Sequence, residues 1–128
     1  MKIVNNKMCT FCNCYEETYL HLFWECDKIQ SLFQYLKYNV DNFDAYFDCK
    51  TFILGSEAHH FKYDIISLEL KRYIYLCRRK GLLPTCIGYK NSLKLAWNIY
   101  KNTNLTEDEF DRWQIVRSLI NFKKTLTN

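Results

Sequence analysis

The sequence predicts a mostly α-helical protein: a small cysteine- and histidine-bearing module at the N-terminus, followed by a compact bundle of three to four helices. Apolar residues recur at three- and four-residue steps in several segments, the spacing of one buried helix face. Polar pairs with the spacing of helix caps precede two of these segments. The 128 residues include only one proline and three glycines. This length and the lack of linker composition predict a single domain over residues 1–128.

The first forty residues are predicted to form the N-terminal module and the first helix. Residues 9–15 have the composition of a turn, and residues 16–24 that of a short helix. Asp27 and Gln30 have the spacing of a capping pair, so we expect the next helix to begin at Lys28. Its predicted buried face comprises Ile29, Leu32, Phe33, Leu36 and Val40.

Residues 41–61 are predicted to be an irregular connection, with a short extended segment at 49–55. The clearest helix runs from about 62 to 80, and Gly81 and Pro84 end it. The residues expected on its buried face are Ile66, Leu70, Tyr73, Ile74 and Cys77.

Residues 62–128 are predicted to form a basic helical part. Beyond the 62–80 helix, its sequence predicts two further helices. One covers about 90–101, and the other follows a capping pair at Thr106 and Glu109 and continues to about Lys123. The inward residues expected in the first are Leu93, Ala96, Trp97 and Tyr100. Those expected in the second are Phe110, Trp113, Val116 or Ile115, and Leu119 or Ile120.

The N-terminal sequence and the cysteine count predict an intracellular protein, in the cytoplasm, the nucleus or both. The first residues lack the apolar stretch of a secretory signal, and no apolar run approaches the roughly 18 residues that span a bilayer. Seven cysteines are an odd number, which argues against a complete disulfide framework. We therefore expect buried thiols or metal ligands.

Charge is distributed unevenly between the two halves of the chain. Residues 1–60 carry five lysines and arginines against eight acidic residues, whereas residues 61–128 carry thirteen against six. The net charge is therefore −3 for residues 1–60 and +7 for residues 61–128. The C-terminal half is the expected partner of a polyanion, although many solvated helix faces are equally rich in lysine.

Four cysteines and one histidine lie between residues 9 and 26. Cys9 and Cys12 form a C-x2-C pair, His21 follows after eight residues, and Cys26 after four more. Three thiolates and one imidazole make a closed tetrahedral set that suits Zn²⁺ and leaves no open position for catalysis. Asn13 tolerates the left-handed backbone that such a turn requires.

Other interpretations of these cysteines remain. A lone C-x2-C pair is often redox-active or accidental, and Cys14 is close enough to replace Cys9 or Cys12 as a ligand. We interpret Cys14 as a spectator. We expect structural roles for Cys49, Cys77 and Cys86, and surface or loop positions for His59 and His60.

The segments "MCTFCNCYEETYLHLFWEC" and "DKIQSLFQYL" resemble the zinc-binding region that follows the polymerase domain in reverse transcriptases of non-LTR (LINE-type) retrotransposons. The family's two cysteines, its acidic "E-E-T" step, its "H-L-F" and its final cysteine are all present. "FILG" at 52–55 and "KRYIYLCRRKGLLPTCIGY" at 71–89 extend the resemblance over nearly the whole chain. Asn13 and Cys14 interrupt the usual glycine and acidic run, and Phe33 or Tyr35 stands where the family often has tryptophan.

The resemblance implies a non-catalytic accessory domain next to a polymerase, with a zinc-knuckle and a nucleic-acid partner. The chain contains no "Y-x-D-D"-like polymerase signature, no nuclease carboxylate motif and no phosphate-binding glycine loop. We therefore do not expect an enzyme. The expected partners are nucleic acid, RNA rather than DNA, and the polymerase domain of the same polyprotein.

Six basic residues are the predicted phosphate contacts. Four lie on or just beyond the 62–80 helix, namely Arg72, Arg78, Arg79 and Lys80, and Lys90 and Lys94 follow closely in the sequence. Tyr73 and Tyr75, or Tyr19 and Trp24, are candidates for stacking on unpaired bases, although aromatics at helical spacing are more often core. The alternative is an interaction domain that supports a neighbouring polymerase without binding nucleic acid.

Overall fold

The structure is a computed structural model, and it describes residues 7–40, 43, 48–54, 64–102, 113–114 and 116–120. The helical elements in chain order are a π-helical turn at His21–Glu25, a 3₁₀ turn at Asp27–Ile29, and helices α1 (Gln30–Asn39), α2 (Cys49–Leu54), α3 (Asp64–Lys80) and α4 (Cys86–Tyr100). Residues 113–114 and 116–120 are helical as well. Among the described residues there is no strand, and the predicted mostly helical fold is confirmed.

Helices α1, α3 and α4 pack around one core, with α4 in contact with both of the others. The predicted face of α1 is buried throughout, from Ile29 to Val40. Two fully buried tyrosines stabilise the packing through their hydroxyl groups. Tyr35 donates a hydrogen bond of 3.2 Å to the carbonyl of Leu119, and Tyr89 donates one of 3.1 Å to the carbonyl of Ile66. Such bonds satisfy the polar end of a buried aromatic side chain.

Helix α3 ends at the predicted glycine. Gly81 has a φ of +69°, and its N–H donates to the carbonyl of Arg78 at 3.2 Å. The N–H of Leu82 donates to the carbonyl of Cys77 at 2.9 Å. These two bonds form a Schellman motif, which satisfies carbonyls that the helix end would leave free. The α3 face is buried at Ile66, Leu70, Ile74 and Cys77, and Tyr73 is half-buried.

The prediction of an extended segment at 49–55 is wrong, because Cys49–Leu54 is helical. The cause is the preceding Asp48, whose Oδ1 accepts hydrogen bonds from the N–H of Thr51, at 2.7 Å, and from its hydroxyl. This is an N-cap, which favours a helix start. Phe52 is then fully buried, with its ring 5.4 Å from that of Phe33.

Helix α4 begins four residues before the predicted start at 90. The hydroxyl of Thr85 accepts a hydrogen bond of 2.9 Å from the N–H of Gly88, so Thr85 is the N-cap. Leu93 and Ala96 are buried as predicted, and Trp97 is half-buried. Tyr100, predicted to point inward, is 44% exposed, although its ring lies 4.5 Å from that of Trp113.

Several sequence predictions fall outside the described residues: the capping pair Thr106 and Glu109, Phe110, Ile115, Lys123, and the loop histidines His59 and His60. Trp113, Val116 and Leu119 are described and buried, as predicted. No helix within the described ranges combines the length and the apolar character that crossing a membrane requires.

Candidate metal centre

A tight hairpin-like loop positions the first two candidate ligands. The N–H of Glu17 donates to the carbonyl of Lys7 at 2.6 Å, and the N–H of Cys9 donates to the carbonyl of Tyr15 at 2.8 Å. Asn13 adopts a φ of +54°, the left-handed conformation expected from the sequence. The chain therefore reverses between Cys9 and Tyr15, with Cys12 inside the turn.

The other two candidate ligands lie at the two ends of the π-helical turn, where His21 is the first residue and Cys26 follows the last. The hydroxyl of Thr18 accepts a hydrogen bond of 3.0 Å from the N–H of His21, and the N–H of Cys26 donates to the carbonyl of His21 at 2.8 Å. The prediction that Gln30 takes part in capping the helix start is wrong. Its side-chain amide donates to the carbonyls of Trp24 and Cys26, at 2.9 and 3.0 Å, and thereby closes the end of the π-helical turn.

The four side chains converge on one point. Cys9, Cys12 and Cys26 each offer a sulfur and His21 a ring nitrogen, and these atoms all lie within 4.8 Å of one another. The sulfurs of Cys9 and Cys26 are 3.8 Å apart, and the sulfur of Cys12 is 3.3 Å from Nε2 of His21. All three cysteines are free thiols. A disulfide would require about 2.05 Å between sulfurs, so Cys9 and Cys26 are not bonded to each other, and the four converging atoms could hold a metal ion.

The electrostatics of the cluster favour a cation between the thiols. A hydrogen bond from the backbone of Cys14, with a further one from His21, lowers the pKa of Cys12 to about 6. Burial, together with the neighbouring Cys9 and Cys12, raises the pKa of Cys26 to about 12. One thiolate therefore forms readily at neutral pH, whereas three adjacent thiolates require a compensating positive charge. A metal ion held by the four residues would supply that charge.

Glu17 connects the ligand loop to α3. Its Oε1 accepts hydrogen bonds from the N–H and the hydroxyl of Thr10, at 2.8 and 2.7 Å. Its Oε2 accepts from Nε of Arg78 at 2.8 Å and lies 2.7 Å from Nη2. Burial opposes ionisation of Glu17, but the hydrogen bonds from Arg78 and Thr10 lower its pKa. Thr10 lies between Cys9 and Cys12, so this carboxylate fixes the loop that carries both ligands.

The remaining cysteines lie outside the cluster. Cys14 is exposed, and the set of converging ligand atoms does not include its sulfur. Cys77 and Cys86 are buried, and the Cys86 thiol donates to the carbonyl of Ser31 at 3.3 Å. Cys49 is half-buried in α2.

The structure divides the six predicted phosphate contacts into two groups. Arg78 is held in its ion pair with Glu17, so its guanidinium has a structural role. The other five are exposed or half-buried: Arg72, Arg79, Lys80, Lys90 and Lys94. Arg72 has Nη1 3.7 Å from Oε1 of Glu69, a long contact that leaves its side chain 53% exposed.

Of the candidate stacking residues, Trp24 lies in the core, whereas Tyr75 and Tyr19 are exposed. Trp24 packs against Phe33 and Phe52, with ring centroids 5.1 and 5.8 Å away, and belongs to the core. Tyr75 is 47% exposed on α3, and the guanidinium carbon of Arg79 lies 6.0 Å from its ring centroid. Tyr19 is 56% exposed, with its ring 4.6 Å from that of Phe23.

Sequence reasoning missed the role of Glu17. The "E-E-T" step was recognised only through the resemblance, and no local pattern indicates that Glu17 would meet an arginine 61 residues later. It also missed a groove between α3 and α4, which depends on how the two helices pack.

Comparison with known proteins finds no protein-family model that matches the chain. No curated protein and no solved structure matches it either. The resemblance to the retrotransposon zinc-binding region therefore stays a prediction from the residues themselves.

Proposed function

We propose that this chain is a zinc-stabilised, non-catalytic module that binds single-stranded nucleic acid, RNA in preference to DNA. The observation that carries the proposal is an exposed stripe on α3, formed by Arg72, Tyr75 and Arg79. The metal centre would hold the N-terminal module against α3. The stripe would provide the contacts to the ligand.

Zn²⁺ is the proposed metal because the donor set and its spacing suit it. Tetrahedral zinc has Zn–S bonds of about 2.3 Å and Zn–N bonds of about 2.0–2.1 Å, which place two sulfurs about 3.8 Å apart and a sulfur and a nitrogen about 3.6 Å apart. The Cys9–Cys26 and Cys12–His21 distances are 3.8 and 3.3 Å. Four protein ligands leave no open position, which is typical of a structural site.

The stripe combines the two contacts that single strands use. Residues three, four and seven apart share a helix face, so Arg72, Tyr75 and Arg79 lie on one side of α3. An exposed tyrosine offers a ring on which an unpaired base stacks, and arginines on either side reach the adjoining phosphates. The proximity of Arg79 to the Tyr75 ring aligns the cation with the stacking surface.

The charge of the surrounding helices supports a polyanionic ligand. Residues 64–102 carry eight lysines and arginines against two acidic residues. Of the eight, Arg78 is neutralised by Glu17, and Lys80 and Lys94 are exposed. Such an excess produces salt-dependent, sequence-independent attraction to a phosphate backbone. By resemblance, this activity would serve a neighbouring reverse transcriptase polymerase by holding its template.

The test is titration of a labelled single-stranded RNA with wild-type protein and the variants Arg79→Glu and Tyr75→Leu at two salt concentrations. Loss of Arg79 should reduce the salt dependence of log K by roughly 0.7, the value per contact for single strands. Tyr75→Leu should weaken binding by about 1–3 kcal/mol at both salt concentrations because one stacked base is lost. Zinc content and helicity should be unchanged in both variants.

Lys101→Glu is the matched control for Arg79→Glu, because Lys101 is exposed beyond the end of α4. It should bind RNA nearly as well as the wild type. Identical RNA curves for wild type, Arg79→Glu and Tyr75→Leu would contradict the proposal and leave the alternative, an interaction domain without nucleic acid. Arg78→Glu is not a suitable probe, since it would break the ion pair with Glu17 as well as alter the surface charge.

A further inference from the structure

A groove of about 660 Å³ lies between α3 and α4, beside the loop that joins them. It falls within the range of about 300–1,000 Å³ that ligand-binding clefts occupy. The lining is mainly apolar, and its four leucines come from both helices and the loop: Leu76, Leu82, Leu83 and Leu95. The groove is separate from the metal centre, none of whose four ligands lines it.

Three of the four leucines of this groove are exposed, and Leu76 is half-buried. Leu82 is 58% exposed, Leu83 55% and Leu95 59%. Isolated exposed leucines are ordinary, but adjacent ones that line the same concave surface are typical of a protein-binding site. A groove between two helices with an apolar floor is the usual receptor for an amphipathic helix.

The charged residues of the groove have one sign. Arg72 and Lys80 line it, and none of the acidic residues that the structure describes does. They are eight residues apart on α3, which corresponds to about 12 Å along the helix axis. A helical ligand parallel or antiparallel to α3 would match them with acidic residues seven or eight positions apart. Its apolar side chains, between those acidic residues, would meet the leucines.

The lining favours a peptide over a nucleic acid. Within the described part of the chain, Tyr73 is the one aromatic residue that lines the groove, and its hydroxyl accepts a hydrogen bond of 3.0 Å from the N–H of Thr85. Leucines offer no stacking surface for bases. Asn91 and Ser92 on the α4 side provide polar groups for the edge of a docked helix.

We propose that the α3–α4 groove binds an acidic amphipathic helix of a partner protein, through its leucines and through Arg72 and Lys80. The groove shares Arg72 with the proposed RNA stripe, but neither Tyr75 nor Arg79 lines it, and its proposed ligand does not depend on RNA binding. The leucines supply the apolar contacts, and the two cations select for acidic residues at the matching spacing.

The experiment is selection from a display library of 16-residue amphipathic helical peptides against the zinc-loaded full chain. Selected peptides should share leucine-like residues on one face, with acidic residues seven or eight positions apart. Binding of a synthesised peptide is then measured by fluorescence anisotropy. Leu95→Glu should weaken it by about tenfold or more, because a charge enters the apolar floor.

Ile99→Glu is the matched control, because Ile99 lies on the same helix, is also 59% exposed and does not line the groove. It should change affinity by less than about twofold, as surface substitutions usually do. Lys80→Glu should weaken binding of the acidic peptide, whereas Lys101→Glu should leave its affinity unchanged.

Three results would overturn the inference. One is the absence of any enriched peptide. Another is equal affinity of the selected peptide for the Leu95→Glu and Ile99→Glu variants. The third is displacement of the peptide by a single-stranded RNA whose own binding Leu95→Glu weakens, which would assign the groove to nucleic acid. Tests of the RNA proposal at Arg79 and Tyr75 remain independent of all three.

Discussion

Nε of Arg78 donates to the Oε2 atom of Glu17 at 2.8 Å, and Nη2 lies 2.7 Å from the same oxygen, so that Arg78 joins the end of α3 to the ligand-bearing loop. The other oxygen of the same carboxylate holds Thr10, between Cys9 and Cys12. The side chains of Glu17 and Arg78 are 15% and 32% exposed. This partly buried ion pair therefore connects the candidate metal centre to helix α3.

The coupling between Glu17 and Arg78 should be measurable in a double-mutant cycle. With zinc present, Glu17→Gln and Arg78→Ala should each destabilise the protein, and the coupling free energy should be about 1–2 kcal/mol. Hydrogen bonds between charged groups in a partly buried site have this magnitude after allowance for solvent screening. The measurement is urea unfolding of the wild type, both single variants and the double variant.

Arg79→Ala is the control for Arg78→Ala, because the neighbouring arginine is exposed and makes no contact with Glu17 among the described interactions. It should change the free energy of unfolding by less than about 0.5 kcal/mol. A coupling energy near zero would mean that the pair does not link the loop to α3.

Glu69 should make the stability of the helical part depend on pH. Burial raises its pKa, although Arg72 opposes the shift, and its Oε1 is buried without a hydrogen-bond partner. A raised pKa means that the folded state binds more protons than the unfolded state just above pH 4.5, so stability falls as pH rises through that range. Glu69→Gln should therefore stabilise the protein at pH 7, and the gain should diminish as pH approaches 4.5.

The measurement for Glu69 is the free energy of unfolding of the wild type and Glu69→Gln, each at several pH values with zinc present. Acid weakens metal binding in both proteins, so their difference isolates the carboxyl group. A difference that is constant with pH, or a loss of stability at pH 7, would refute the assignment of a burial penalty to Glu69.

Gly88 allows α3 and α4 to approach at the first turn of α4. A Cβ atom at this position would overlap the hydroxyl oxygen of Tyr73 and lie 2.8 Å from Cζ. Gly88→Ala should therefore destabilise the protein by about 1–2 kcal/mol, despite the higher helix propensity of alanine. Tyr73→Leu should remove most of that penalty in the double variant, as thermal or urea unfolding would show.

Gly81→Ala provides the contrast for Gly88→Ala. It is strained by its φ of +69° but meets nothing within 4 Å, so Tyr73→Leu should not rescue it. Equal rescue of both alanine variants by Tyr73→Leu, or no rescue of Gly88→Ala, would show that steric contact with Tyr73 is not the cause.

Local sequence signals predicted most of the helices and the convergence of Cys9, Cys12, His21 and Cys26. The face of α1, the end of α3 at Gly81 and the left-handed Asn13 each depend on periodicity or on the conformational limits of single residues. The ligand cluster was predictable because the chain places all four residues within eighteen positions. Spacing over so short a distance restricts where the side chains can go.

Several features that depend on tertiary contacts could not be predicted from local patterns. Residues 49–54 look extended by composition, but Asp48 caps them and Phe52 packs into an aromatic cluster, so they form α2. Arg78 was predicted to contact phosphates because it lies in a basic run. Its partner Glu17 lies 61 residues earlier, and no local pattern indicates that pairing.

Metal removal should loosen the N-terminal module before the helical bundle. The loop at 7–17 depends on few backbone hydrogen bonds, whereas α3 and α4 have their own buried faces. After chelation, amide hydrogen exchange should accelerate first in residues 7–26 and later in 64–102. Simultaneous loss of protection in both ranges, or no change in either, would contradict a local structural role for the metal.

The most direct test of the metal centre is elemental analysis of purified wild type, Cys26→Ser and Cys14→Ser after exhaustive dialysis. The wild type and Cys14→Ser should each retain about one zinc per chain, because the exposed Cys14 lies outside the ligand set. Cys26→Ser should lose most of it, since only three of the four ligands remain. Less than about half an equivalent in the wild type with all thiols free, or equal zinc loss in both variants, would contradict the Cys9–Cys12–His21–Cys26 site.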